Sequence, residues 1–233
     1  MVGGMDIILI AGLWLQRSAW ADVVTELEAL GHHAIPVALP GVDDDALATA
    51  TLDDQLAAVV AAVDAATQPL VVGHSAASTL AWLAADRRSQ SVAAVAMVGG
   101  FPASEGAEYS PFHDLVDGVM PFPGWEPFEG PDSDDLGDAG KALLAAAAVP
   151  VPGAVAQGIV HYTDPRRVEV PVVMVCPEYS PEQAQEWLAG GAMPELSAAA
   201  HLTYVDIDSG HWPMTSKPAE FAALLAEIAT GLV

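Results

Sequence analysis

The sequence predicts an α/β fold, a mainly parallel sheet with helices on both faces. Three observations carry this. Short apolar runs alternate along the chain with amphipathic helical stretches, a rhythm that implies right-handed crossovers between parallel strands. The runs are continuously apolar, as in strands covered on both faces. The chain has 233 residues, of which 52% are hydrophobic. That suffices for a buried core, rules out general disorder, and fits one domain over residues 1–233.

The elements follow in order. Residues 6–12 (DIILIAG) read as a buried strand closed by Gly12. Ser18 is placed to cap a helix whose inner stripe is Trp20, Val23, Val24, Leu27 and Leu30, stopped by Gly31. A second strand covers 33–39. A helix covers 51–66, with Leu52, Leu56, Val59, Val60 and Val63 inward. The third strand, 69–73, feeds directly into a helix over 76–87. The fourth is 92–98 and the fifth 170–175. Ser180-Pro181 is a cap followed by a first-turn proline, opening a helix to Leu188. The sixth strand is 202–208. A closing helix, 218–232, turns Phe221, Leu224, Leu225 and Ile228 inward.

Residues 101–168 break the rhythm, with no evident strand. Four of the five phenylalanines lie there (Phe101, Phe112, Phe122 and Phe128), with Tyr109, Trp125 and Met120. This concentration of aromatics between the fourth and fifth strands predicts a cap that turns an apolar face to a pocket. The alternative is an excursion packed on the sheet edge.

Seven Lys and Arg oppose 31 Asp and Glu, a formal net charge of −24. Nothing in such a chain neutralises a phosphate backbone, so nucleic-acid binding is excluded as a function class, and an anionic membrane would repel it. The longest stretch without Asp, Glu, Lys, Arg or His, 142–160, is broken by Pro150 and Pro152 and is a poor membrane span. The apolar N-terminus lacks early basic residues and is a poor signal peptide. A single cysteine, Cys176, allows no internal disulfide and fits a reducing, cytoplasmic setting. The histidines show no metal-ligand spacing, and no cofactor is expected.

The chemistry concentrates at Val71-Val72-Gly73-His74-Ser75-Ala76-Ala77. A serine at a strand-to-helix junction, with a tiny residue two positions away on each side, forms a nucleophile elbow, here G-x-S-x-A. The turn is so sharp that positions 73 and 77 must touch, and only Gly and Ala fit. It lifts the hydroxyl clear of the sheet and aims the Ala76 N–H at a developing oxyanion. The alternative reading is a serine that merely caps the helix. Late in the chain, Ser209-Gly210-His211-Trp212 places His211 in a loop after the last strand, where an imidazole can reach across to the serine as a base.

With these motifs the chain resembles the α/β-hydrolase superfamily, most closely the small esterases that include plant methylesterases and hydroxynitrile lyases. Gly12, Leu13 and Trp20 match the family's first loop, while Ala11 replaces its usual His. The resemblance runs from Asp6 to the last helix and is weakest over 101–168. It implies that the Leu13 N–H is the second oxyanion donor. It also implies an acid in the loop after the fifth strand, which reads Cys176-Pro177-Glu178-Tyr179-Ser180 and contains no Asp. Glu178 is the candidate. Asp208 is its rival, with Asp206 behind it, and a Ser-His dyad without an acid is the third option.

These residues together predict a serine hydrolase of small or medium, neutral, hydrophobic esters, thioesters or lactones. Ser75, His211 and Glu178 are its catalytic set, Leu13 and Ala76 its oxyanion hole. Trp14, His74, Phe101, Trp125 and Trp212 are the expected pocket residues. The expected partner is a small-molecule substrate. Two alternatives stand beside this reading: a hydroxynitrile-lyase-like enzyme, which in this family carries a Lys near the catalytic His, and a non-catalytic small-ligand binder on the same scaffold.

Overall fold

Apolar runs with no polar face need cover on both sides, and the chain supplies it in layers. The computed structural model describes residues 4–231. Its elements are β1 (Asp6–Ile10), α1 (Ala21–Ala29), β2 (His33–Pro36), α2 (Leu52–Ala65), β3 (Leu70–His74), α3 (Ser78–Arg87) and β4 (Ala94–Val98). Then come β5 (Val119–Met120), α4 (Gly137–Ala147), β6 (Val151–Pro152) and α5 (Gly153–Ala156). The chain ends with β7 (Val172–Cys176), α6 (Pro181–Ala189), β8 (Leu202–Asp206), α7 (Pro213–Ser216) and α8 (Pro218–Thr230). Residue 232, the expected end of the closing helix, lies outside the described residues.

Six strands form one sheet in the order β2-β1-β3-β4-β7-β8, and every neighbouring pair is parallel. Strand residues alternate between two cores. Ile8, Ile10, Val71, Val95, Met97, Val172 and Met174 face α2 and α3, while Ile7, Leu9, Leu70, Val72, Ala96, Val98, Val173 and Val175 face α1 and α8. β1 has β2 on one side and β3 on the other, so the chain reverses direction across the sheet at that point. Such a reversal opens a crevice at the carboxyl ends of the strands. The loops after β1 and β3, carrying Leu13 and Ser75, start from those ends.

Local details refine the sequence reading. The first helix begins with a 3₁₀ turn, Arg17–Trp20, and no Ser18 side-chain bond caps it. Its Leu30 is 52% exposed. Thr51 caps α2 and Ser180 caps α6, each through a reciprocal capping box, with Asp54 and Gln183.

The 101–168 excursion does contain strands. β5 and β6 pair antiparallel, two residues each, too short to show an alternating pattern in sequence. Its two ends run side by side. Gly106 N–H donates to the Val160 carbonyl at 2.9 Å, Val160 N–H to Ala107 at 2.8 Å, and Tyr109 N–H to Gly158 at 2.8 Å. Buried Asp86, at the end of α3, ties down the returning arm by accepting from the Thr163 N–H and Oγ1 and the Asp164 N–H at 2.8–2.9 Å. Among the described residues no helix is long and apolar enough to cross a membrane.

Candidate active site

The turn after β3 is as sharp as its sequence demands. Ser75 has φ +55°, the left-handed region that side chains rarely adopt. A Cβ at Gly73 would collide with the Ala77 carbonyl, and one at Gly100 with the Ser75 carbonyl. Gly73, Ala77 and Gly100 are small because backbone occupies the space around the serine. Ala76 lies in the first turn of the following 3₁₀ helix, Ser75–Ala77, where N–H groups have no intrahelical acceptor. Among the described residues no turn or loop hydrogen bond uses the Leu13 N–H. Both donors are unengaged beside the serine.

His211 is fixed at three points. Its Nδ1 lies 2.7 Å from Glu178 Oε1, with both side chains nearly buried. Its N–H donates to the Asp132 carbonyl at 2.8 Å. Its own carbonyl accepts from His74 Nε2 at 2.7 Å. Gly99 lets this assembly close, since a Cβ there would lie 3.1 Å from His211 Nδ1 and 3.3 Å from Glu178 Oε2. Of the candidate carboxylates, Glu178 is the one that meets the imidazole. Asp208 does not: its carboxylate is in solvent and pairs with Lys217 at 3.4 Å. Asp206 is exposed as well.

A hollow of about 20 Å³ collects Leu13, Trp14, His74, Ser75, Phe128, His211 and Trp212. A second of about 10 Å³ adjoins it through Leu13, Trp14 and Trp212 and adds Leu15, Phe122, Trp125 and Leu144. Trp14, His74, Trp125 and Trp212 therefore line these hollows. Phe101 does not. It lines neither hollow and is 39% exposed, because Gly100 lies against the Ser75 backbone and carries the chain past the site to the surface. Phe122 and Phe128 take that place, edge-on to Trp14 at 5.5 and 6.0 Å, with Phe128 also against Trp212 at 5.4 Å. Sequence marked them as cap aromatics, and only the turn geometry of 122–128 aims them inward. Trp14 itself has φ +63° and is held by the excursion, donating from Nε1 to the Met120 carbonyl at 3.2 Å and accepting from the Val149 N–H at 2.9 Å.

His74 is buried and neutral. Burial, then the neighbouring His211, pushes its imidazole down to about 3, against the opposing pull of its bond to the His211 carbonyl. Since Nε2 must donate, Nδ1 is the bare nitrogen, and it is buried with no partner. Between pH 6.5 and 3 the unfolded chain binds a proton at this position that the folded chain does not. Its contribution to stability is therefore complete above pH 6.5 and falls by about 1.4 kcal/mol per pH unit below it. His74→Asn, which retains a donor, is expected to flatten the decline of Tm between pH 7 and pH 5 relative to the parent. Parallel curves would contradict a neutral buried His74. Cys176, the lone thiol, is buried and pushed up to about 12, chiefly by burial, which makes it inert.

Known structures share this architecture at low identity. An extracellular alpha/beta-hydrolase from a Paenibacillus species, described as sharing structural and functional homology with tobacco salicylic acid binding protein 2, is 15% identical. It superposes with a TM-score of 0.77 over 96% of this chain and 98% of its own. A pyrethroid hydrolase from Sphingobium faniae is 19% identical, with a TM-score of 0.74 over 97% of each chain. A variant of tomato methylketone synthase I is 15% identical, with a TM-score of 0.72 over 100% and 99%. No curated protein matches significantly. The sequence model of the alpha/beta hydrolase family matches residues 7–224, nearly the whole length. With that match and the parallel sheet described above, the chain belongs to the alpha/beta hydrolase family.

Proposed function

We propose that this protein is a serine hydrolase of neutral, apolar carboxylic esters, with thioesters and lactones open to the same chemistry. The observation that carries the reading is the convergence of Ser75 and His211 on one hollow, with Glu178 2.7 Å behind the imidazole. Glu178 accepts from Nδ1–H and so leaves Nε2 as the base. As Ser75 Oγ bonds to the ester carbonyl carbon, its proton passes to Nε2. The carbonyl electron pair moves onto oxygen, which the Leu13 and Ala76 N–H groups receive. Collapse of this adduct breaks the bond to the alcohol, which leaves with the proton from His211. Water, activated by the same imidazole, then releases the acid from Ser75.

The substrate's shape follows from the hollows. The two inner ones hold about one water each, so a substrate enters only as the aromatic wall of the excursion shifts. The second hollow shares Leu15 and Leu144 with an open apolar groove of about 260 Å³ under α4, lined also by Leu143 and Ala147. An unbranched apolar chain attached to the ester can follow that line. The lyase alternative lacks its cation, since Trp212 follows His211 and Lys217 pairs at the surface with Asp208 and Glu220, at 3.4 and 3.8 Å.

The test is a panel of p-nitrophenyl esters of rising acyl length, run beside fluorophosphonate labelling. Stoichiometric labelling of Ser75 is expected, with kcat/KM rising up to about fourfold per added methylene (about 0.8 kcal/mol each) until the groove is full. Leu144→Trp should abolish that rise and spare the acetate ester. No labelling, together with tight binding of an apolar ligand, would identify a binding protein on this scaffold instead.

A further inference from the structure

Both loops that serve the reaction are held by the excursion as well as by the sheet. The Trp14 loop, which carries the Leu13 N–H, is bonded to Met120 and Val149. The His211 loop is bonded to the turn 130–136 at two successive residues. His211 N–H donates to the Asp132 carbonyl at 2.8 Å, and Gly210 N–H donates to Asp135 Oδ2 at 2.7 Å. Contact there is close enough to dictate the residue, because a Cβ at Gly210 would collide with the Asp135 carboxylate and the Asp132 carbonyl. That explains the glycine before the histidine on steric grounds, since Gly210 does not carry a positive φ.

The turn is braced by its own hydrogen bonds. Gly130, at φ +85°, accepts at its carbonyl from the Ser133 and Asp134 N–H groups, and fully buried Ser133 donates its hydroxyl to the Phe128 carbonyl. Phe128 is also a wall of the catalytic hollow, packed on Trp212. One seven-residue turn therefore grips the base loop at one end and braces a pocket wall at the other.

We propose that Asp135 is a positioning residue that sets the His211 loop, and that closing the excursion over the pocket and aligning the base are one event. This rests on the serine-hydrolase reading. When the wall at Phe128 swings out to admit substrate, the turn carries Asp132 and Asp135 with it, and His211 keeps only its bonds to Glu178 and His74. When the wall returns, the clamp re-forms and the base comes back into line. The open pocket is thus paired with a loosened base, so that attack waits on closure. The charged groups facing the clamp are Asp132, Glu178 and His211. Burial, then Glu178, pushes the Asp132 carboxyl above its ordinary range, with His211 opposing.

The test compares the parent with Asp135→Ala, Asp135→Asn and Gly210→Ala, reading steady-state kinetics on p-nitrophenyl acetate, the rate of fluorophosphonate labelling, and Tm. Asp135 is exposed, so its variants should fold. Misplacing a base by a fraction of an ångström to one ångström slows chemistry on the order of 10- to 100-fold. Asp135→Ala is expected to lose kcat in that range, with KM within about twofold and labelling slowed in parallel. Asp135→Asn keeps an oxygen acceptor for the Gly210 N–H and should recover most of the rate. Gly210→Ala, which pries the turn away, should reproduce the loss. An unchanged kcat in Asp135→Ala, an Asn variant as slow as the Ala variant, or a change in Tm alone would overturn the proposal. A parent that is neither labelled nor active would instead overturn the hydrolase reading on which it rests.

Discussion

Ser75→Ala is expected to fold like the parent and to lose ester turnover on the order of 10⁴- to 10⁶-fold, measured on p-nitrophenyl acetate and by loss of fluorophosphonate labelling. The magnitude follows from what is removed. No other hydroxyl lies on the tight bend between β3 and α3 with two unengaged N–H groups beside it. Without Oγ there is no acyl intermediate, and only the oxyanion donors and substrate binding remain to help water. The backbone strain at φ +55° is the same for Ala as for Ser, so Tm should move little. A variant that kept even a tenth of the parent rate would show that Ser75 is not the nucleophile.

The second large effect is at Glu178. Glu178→Gln is expected to lower kcat on the order of 10²- to 10⁴-fold, because an amide facing Nδ1 can offer a donor where an acceptor is needed. That favours the tautomer with its proton on Nε2, which leaves no base towards Ser75. Asp208→Asn, on a solvent-facing carboxylate whose only partner among the described residues is Lys217, should stay within about twofold of the parent. Equal, small effects in both variants would mean that His211 works without an acid. A large loss confined to Asp208→Asn would move the acid to the end of β8.

The sequence made the sheet legible because its inner strands β1, β3, β4 and β7, covered by helices on both faces, are apolar on both, while the edge strands β2 and β8 are partly exposed. Runs such as 7–10 and 70–73 carry that mark whatever lies around them. The elbow was legible for a related reason: Gly73 and Ala77 record a backbone collision two residues away, a local constraint. The carboxylate that meets His211 was harder to read. Glu178 and Asp208 are both near strand ends, and only the rotation of each loop decides that one carboxylate meets an imidazole 33 residues away while the other meets solvent. The cap was hardest. Phe101 and Phe128 look alike in sequence, yet Gly100, pressed on the Ser75 backbone, sends the first outward, and the 122–128 turns send the second inward. The glycine before His211 is small because Asp132 and Asp135, some 75 residues earlier in the chain, press against it, a contact that no local pattern records.

The paired arms of the excursion, bonded at Gly106–Val160, Ala107–Val160 and Tyr109–Gly158, leave the sheet through a single narrow stem. A module rooted in one place invites exchange, and chimaeras that swap residues 110–157 for another cap should thread without disturbing the sheet. Such a transplant would change which molecules are admitted. It would run slowly unless the donor segment also brought an acceptor for the Gly210 amide and one for the indole of Trp14, so compatibility between cap and scaffold is decided at those two grips more than at the seam.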